Sequence, residues 1–134
     1  MSPGKPETVP IQSSSDVVLA RQKVRQWAIE MKFTLVDQTK LVTAASELAR
    51  NALEHGKGGH MVIEKVANSV KDGLKLVFED KGPGIPDIET ALRDGFTSGG
   101  GMGLGLGGSK RLVNDFHIES EPGKGTRITV VRWK

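Results

Sequence analysis

The chain has 134 residues, no Cys, and 19 Lys and Arg against 16 Asp and Glu, for a net charge of +3. That length supports one domain with its own core, and the absence of Cys excludes disulfides and thiolate zinc sites and fits a reducing compartment. Basic residues are scattered among nearly as many acids, no nucleic-acid-reading motif occurs, and no apolar run has signal-peptide or membrane-span character, so a cytoplasmic protein with no nucleic-acid or membrane partner is expected.

Residues 1–7 read as a flexible tail and residues 8–134 as one domain. TVPIQS offers a short edge strand, where Pro10 is tolerable. Ser14, Ser15 or Asp16 can cap a helix in which Val17, Ala20, Val24, Trp27 and Met31 recur at the spacing of one buried stripe, ending near Phe33. A second helix is predicted after Asp37, with Leu41, Ala45, Leu48 and Ala52 on one face and Gly56 as its stop. HMVIEKVA and GLKLVFE read as strands joined by the turn sequence NSVKDG, and Leu74, Leu76 and Phe78 alternate onto one face. DKGPGIPD interrupts regular structure, IETALRDGF offers about two helical turns, and SKRLVNDF predicts a helix after the glycine run. FHIESE, PGKG and TRITVVRW close the chain as a hairpin. The fold class is α+β, a two-layer α/β sandwich whose mixed, mainly antiparallel sheet is covered on one face by helices.

Three stretches carry chemistry. In SELARNALEHG, Glu47, Asn51 and Glu54 fall at i, i+4 and i+7 and share a helical face while Leu48 and Ala52 point to the core. An amide oxygen there can ligate a hard cation such as Mg²⁺ and a carboxylate can accept or orient a proton, although the trio also reads as a solvated polar face. In DKGPGI, Asp80 ends a strand and can accept a hydrogen bond from an exocyclic amine, while Gly82 and Gly84 let backbone approach a flat ligand; a Pro-Gly turn with a capping Asp is the alternative. The third stretch, GGGMGLGLGG at residues 99–108, contains a G-x-G-x-x-G match at Gly103, Gly105 and Gly108. The loop sequence RDGFTSGG precedes it where a dinucleotide fold needs a strand, and Gly108-Ser109-Lys110-Arg111 lacks the Gly-Lys-Ser of a P-loop. What remains is a set of backbone N–H groups leading into a helix, an anion site with Lys110 and Arg111 close by, or else a flexible linker.

Taken in order, Glu47 to Asn51, Asp-x-Gly-x-Gly at 80–84, Gly-x-Gly-Leu-Gly-Leu at 101–106 and Gly125-Thr126 resemble the N, G1 and G2 boxes and terminal Gly-Thr of the Bergerat-fold (GHKL) ATPases, which include gyrase, histidine kinases and mismatch-repair ATPases. The phrases SELARNA, GLKLVFEDKGPGIPDI, DGFTSGGGMGLGL and KRLVNDF are similar to RsbT-type switch kinases of the bacterial stressosome, with anti-sigma-factor kinases as near relatives. That resemblance implies a serine/threonine protein kinase using ATP and Mg²⁺. By the same resemblance Asn51 binds Mg²⁺, Glu47 acts as general base or orients the attacking hydroxyl, and Asp80 reads the adenine amine with help from Thr126. Gly82, Gly84 and Ile85 border the base. Gly99, Gly100, Gly101, Gly103, Leu104 and Gly105 form the lid and phosphate cradle, with Lys110 beside them. His55 occupies a position often basic or aromatic in the superfamily. The implied partners are STAS-domain proteins of a stressosome, as substrate and scaffold, and a phosphatase activated by binding. Two departures bear on partner choice: ALEHG after Asn51 looks like the anti-sigma relatives, and Gly107-Gly108 stands where Pro is common. The alternative is therefore an anti-sigma-factor kinase that sequesters a sigma factor. A free-standing histidine-kinase domain would need an acceptor His on an upstream helix, and His55, His60 and His117 all lie inside the ATPase-like core.

Overall fold

The computed structural model describes residues 5–84 and 105–134. In chain order these form β1 (Glu7–Ile11), α1 (Ser14–Glu30), α2 (Leu35–Glu54), β2 (Gly59–Ala67), β3 (Asp72–Asp80), α3 (Gly105–Arg111), β4 (Asp115–Glu121) and β5 (Gly125–Trp133). The helix expected over IETALRDGF lies outside the described residues, as do Ile85, Gly99, Gly100, Gly101, Gly103 and Leu104.

Glu7, expected in the tail, is instead the first residue of β1. Its carboxylate accepts a hydrogen bond from Trp27 Nε1 at 2.9 Å and pairs with Lys23 Nζ at 2.9 Å, which ties the strand to α1. Those two donors hold the Glu7 carboxyl below its usual value.

Both long helices begin earlier than their apolar periodicity indicates, and the reason is the same in each. The N-cap of α1 is Ser13, whose hydroxyl accepts from Asp16 N at 3.3 Å, while the Asp16 carboxylate reaches back to Gln12 N at 2.8 Å. These reciprocal bonds satisfy donors that a helix start leaves open. Thr34 caps α2, accepting from Asp37 N at 3.2 Å, so Asp37 lies in the first turn rather than before it. Leu35 and Val36, at 75% and 63% exposure, add helix without adding core, which is why periodicity does not reveal that turn.

The sheet order is β1-β2-β3-β5-β4, and every pairing among these strands is antiparallel. Leu74, Leu76 and Phe78 are buried on one face of β3, as their alternation predicts, beside Met61 and Ile63 of β2 and Ile128 and Val130 of β5. Val24 and Trp27 of α1 and Leu41, Ala45 and Leu48 of α2 complete this core. The α2 helix packs against α1, against α3 and against β1, β2 and β3, so its polar edge is brought to the end of the sheet.

The third helix covers Gly105–Arg111, earlier than the SKRLVNDF stretch expected to be helical. Asn114 N donates to Val131 O at 3.0 Å and Asn114 Oδ1 accepts from Trp133 N at 2.7 Å, drawing the chain out of the helix and into the sheet edge. Leu106 and Ser109 are buried in this short helix, so their contacts offset the low helix propensity of its glycines. No helix among the described residues is long and apolar enough to cross a membrane.

Candidate functional site

The second helix does not present Glu47, Asn51 and Glu54 as one solvated face. Glu47 is 5% exposed, Asn51 is half-buried and Glu54 is exposed, so the row slopes from the interior to solvent. The Glu47 Oε1 atom lies 3.2 Å from Arg50 Nη1, an ion pair one turn along the helix. A carboxylate this buried needs a compensating charge, and Arg50 supplies it while fixing the direction of the acid. At the end of the helix the Asn51 carbonyl accepts from His55 N at 2.9 Å and from Gly56 N at 3.2 Å. The residue carrying the amide is thereby joined to the turn that follows.

Asp80 ends β3 and is flanked by Gly59 of β2 and Thr126 of β5. Its Oδ1 accepts from Gly82 N at 3.0 Å, which makes the tight turn expected of Asp-Lys-Gly. Burial pushes the Asp80 carboxyl above its ordinary value, while the N–H groups of Gly82 and Thr126 and the nearby His55 imidazole pull the other way. An acid in this state combines partial desolvation with oriented donors, which is the setting for a discriminating hydrogen bond.

The space around Asp80 is built by leaving side chains out. A Cβ on Gly56 would overlap the Asp80 carboxylate, one on Gly125 would overlap the Asp80 carbonyl, and one on Gly82 would lie 2.6 Å from Gly56 Cα. Gly125 also has φ +90°, in the left-handed region that favours glycine. Beside it the Ser120 hydroxyl donates to Gly125 O at 3.2 Å and shares a 2.9 Å hydrogen bond with the Thr126 hydroxyl.

Asp80, Gly82 and Thr126 are thus gathered at one corner, and Gly84 adjoins it, its missing Cβ making room for the Glu121 carbonyl. Lys110 is not brought to Asp80. It lines a separate shallow cleft of about 390 Å³ with Asn114, His117 and Thr129, near the start of β4, whereas Thr126 pairs with Ser120 near that strand's end. Gly105 opens α3.

Gly56, expected only as a helix stop, and Ser120, not singled out from the sequence, also belong to this corner. Gly56 was explicable as a helix stop, although the left-handed residues of the turn are Lys57 and Gly58, which left a glycine unexplained. Ser120 faces Thr126 because Gly125 already pairs with Glu121, leaving a turn of only three residues; taking all of PGKG as the turn sets Glu121 opposite Thr126 and passes over Ser120.

This order of parts, an acid and an amide on one helix, an acid at a strand end, a glycine run and a Gly-Thr opening the last strand, is matched by one family profile. Residues 36–134 fit the histidine kinase-, DNA gyrase B-, and HSP90-like ATPases. The chain belongs to this ATPase family. It is 47% identical over 125 residues to the serine/threonine-protein kinase RsbT of Bacillus subtilis (strain 168), spanning 93% of this chain and 94% of that one. An anti-sigma F factor of Clostridium kluyveri is 32% identical over 122 residues, covering 88% of this chain and 86% of the relative. Among solved structures, the RsbU and RsbW domains of Rv1364c from Mycobacterium tuberculosis share the fold with a TM-score of 0.65 at 22% identity, over 96% of this chain and 32% of that one. Family membership together with the kinase relative makes the chain an ATP-dependent serine/threonine protein kinase of the partner-switching kind.

Proposed function

We propose that this kinase acts in the cytoplasm and transfers the γ-phosphate of ATP to a Ser or Thr hydroxyl of a STAS-domain stressosome protein, with Glu47 as the proton acceptor and Asp80 as the reader of adenine. The observation that carries the reading is the chain of contacts that links the helix bearing Glu47 and Asn51 to Asp80 through Gly56. Glu47 and Asn51 are one turn apart on α2, the Asn51 carbonyl holds Gly56 N, and Gly56 lies directly against the Asp80 side chain.

The residues present fit both ATP and its metal. The half-buried Asp80 can accept a hydrogen bond from the amine of the base while keeping its bonds from Gly82 and Thr126. Among the described residues no group of three or more His, Asp or Glu could form a metal cage. A single amide oxygen from Asn51 suits Mg²⁺, which retains waters and takes further oxygens from the phosphates. When bound, the metal neutralises charge on the β- and γ-phosphates.

The chain's own residues do the rest. Arg50 holds the Glu47 carboxylate in place, and that carboxylate takes the proton of the substrate hydroxyl as its oxygen bonds to the γ-phosphorus. The bond from the γ-phosphorus to the bridging oxygen breaks, and ADP carries away that electron pair. Gly99, Gly100, Gly101, Gly103, Leu104 and Gly105 form the lid over the phosphates in this proposal, Ile85 borders the base and Lys110 acts from outside the adenine corner. A phosphatase activated by binding is the proposed second partner.

The test is a pair of variants assayed with a purified STAS-domain partner. Glu47→Gln is expected to bind ATP normally and to lose at least about 100-fold in phosphoryl transfer, whereas Asn51→Ala loses Mg²⁺-dependent ATP binding in calorimetry. Wild-type transfer by the Glu47 variant would remove the base from this mechanism. A second reading, sequestration of a sigma factor, is favoured by the anti-sigma relatives. Pull-down separates the two, since a stoichiometric sigma factor supports sequestration and a STAS-domain protein supports the kinase substrate.

A further inference from the structure

Gly56 is the residue whose role neither the turn nor the motif explains. The α2 helix ends at Glu54 and His55 is its C-cap. The chain reverses through Lys57 at φ +60° and Gly58 at φ +101°, with Gly58 N donating to Ala52 O at 2.8 Å. Gly56 itself has no positive φ among these residues, so its backbone would accept Ala. What excludes a side chain is Asp80: a Cβ on Gly56 would collide with the Cβ, Cγ and Oδ2 of that residue. Behind it, a Cβ on Gly82 would lie 2.6 Å from Gly56 Cα and 2.9 Å from Gly56 O, so Gly56 is closed in by Gly82 as well as by the acid.

We propose that Gly56 is a specificity-determining position of the nucleotide site, whose missing side chain sets where the Asp80 carboxylate stands and hence which base edge it accepts. The inference rests on the reading of Asp80 as the adenine contact. Gly56 does not touch the nucleotide; it is a positioning residue acting through Asp80. Its N–H bonds to Asn51 O at 3.2 Å, so the same residue sets the distance between the helix end and the base corner. A methyl group here must displace the carboxylate, the helix end, or both, because the opposing atoms include Asp80 Cβ and not only the tip of a flexible chain.

The experiment measures ATP and GTP affinity for the full chain and for Gly56→Ala, Asp80→Asn, their double variant and Gly58→Ala. Gly56→Ala is expected to reduce the preference for ATP over GTP by about tenfold or more, because an acceptor out of register no longer rejects the wrong base edge. The double variant is expected to discriminate no worse than Asp80→Asn alone, since both act through one carboxylate. Gly58→Ala, strained by its positive φ but facing Gln12 rather than Asp80, is expected to lower the melting temperature and leave the ATP:GTP ratio unchanged. An unaltered ratio in Gly56→Ala, with a reduced one in Asp80→Asn, overturns the role of Gly56. An unaltered ratio in Asp80→Asn overturns the adenine contact itself. If Gly56→Ala does not fold, Asp80→Gly is added to it: recovery of a cooperative melt supports the proposed contact, and failure to recover overturns it.

Discussion

The two ends of β5 are held by opposite means. At Thr126 the neighbours are a half-buried acid with a raised pKa, three glycines packed without side chains and a pair of hydroxyls. Six residues on, about 20 Å at the usual strand rise, Arg132 Nη2 meets Asp37 Oδ1 at 2.6 Å and Arg132 Nη1 donates to Leu112 O at 3.0 Å. There one guanidinium fastens the start of α2, the exit from α3 and the last strand together. Its Nε is buried with no partner among the described residues, so the anchor is itself imperfect. Along β5 the contrast is one of means: at Arg132 an ion pair ties separate elements together, whereas the Thr126 end is shaped by absent side chains and by an acid that resists its charge.

The largest effect on folding is expected at the site end, where glycines pack without side chains. Gly125→Ala places a Cβ on the Asp80 carbonyl at a left-handed φ, and a loss of about 2 to 4 kcal/mol in urea unfolding is expected. A loss below about 0.5 kcal/mol would show that the corner is looser than these contacts require.

Arg132→Met tests the anchor. It leaves Asp37 and the Leu112 carbonyl without their charged donor, for an expected loss of about 1.5 to 3 kcal/mol. ATP affinity should hardly change, and a tenfold or greater weakening of ATP binding in that variant would mean that the two ends are coupled.

The pH dependence should differ in sign between the ends. The Arg132 guanidinium and the resulting hydrogen bond hold the Asp37 carboxyl below its ordinary value of 3.8. The stability it contributes is therefore present above that value and is lost as pH falls through the folded-state pKa. Burial raises the Asp80 carboxyl above 3.8, so in the nucleotide-free protein its contribution declines as pH rises from 3.8 through the raised value. Urea melts across pH 3 to 7 should show a shallower acid loss for Asp37→Asn and a shallower opposing slope for Asp80→Asn. Parallel profiles for all three proteins would refute the assignment.

The smallest effect is expected from Ser120→Ala, which removes the hydrogen bonds to Thr126 Oγ1 and Gly125 O while leaving the hairpin in register. A loss of about 0.5 to 1.5 kcal/mol follows if these behave as ordinary neutral hydrogen bonds. A larger loss, seen in thermal melts, would make the hydroxyl pair a structural part of the base corner rather than an adjunct to it.

Much of this was legible in the chain alone. Periodicity located the buried stripes of α1 and α2 and the inward face of β3, because helix and strand repeats impose burial locally. The turn PGKG paired the last two strands. Motif spacing singled out Glu47, Asn51, Asp80 and Thr126 together, and the family profile spans all four. The caps at Ser13 and Thr34 escaped because a helix can begin a turn before its apolar face does. The third helix began early because burial of Leu106 and Ser109 outweighed glycine's poor helix propensity.

What the residues by themselves determined is the set of local elements and the chemical inventory, since both follow from neighbours within a few positions. Only the folded chain decided that Gly56 lies against Asp80, that Arg132 closes on Asp37 across 95 positions, and that Glu47 is buried while Glu54 is not. Those are contacts between elements, made by α2 packing at one angle and depth on the sheet, and no periodicity along a single segment records that depth.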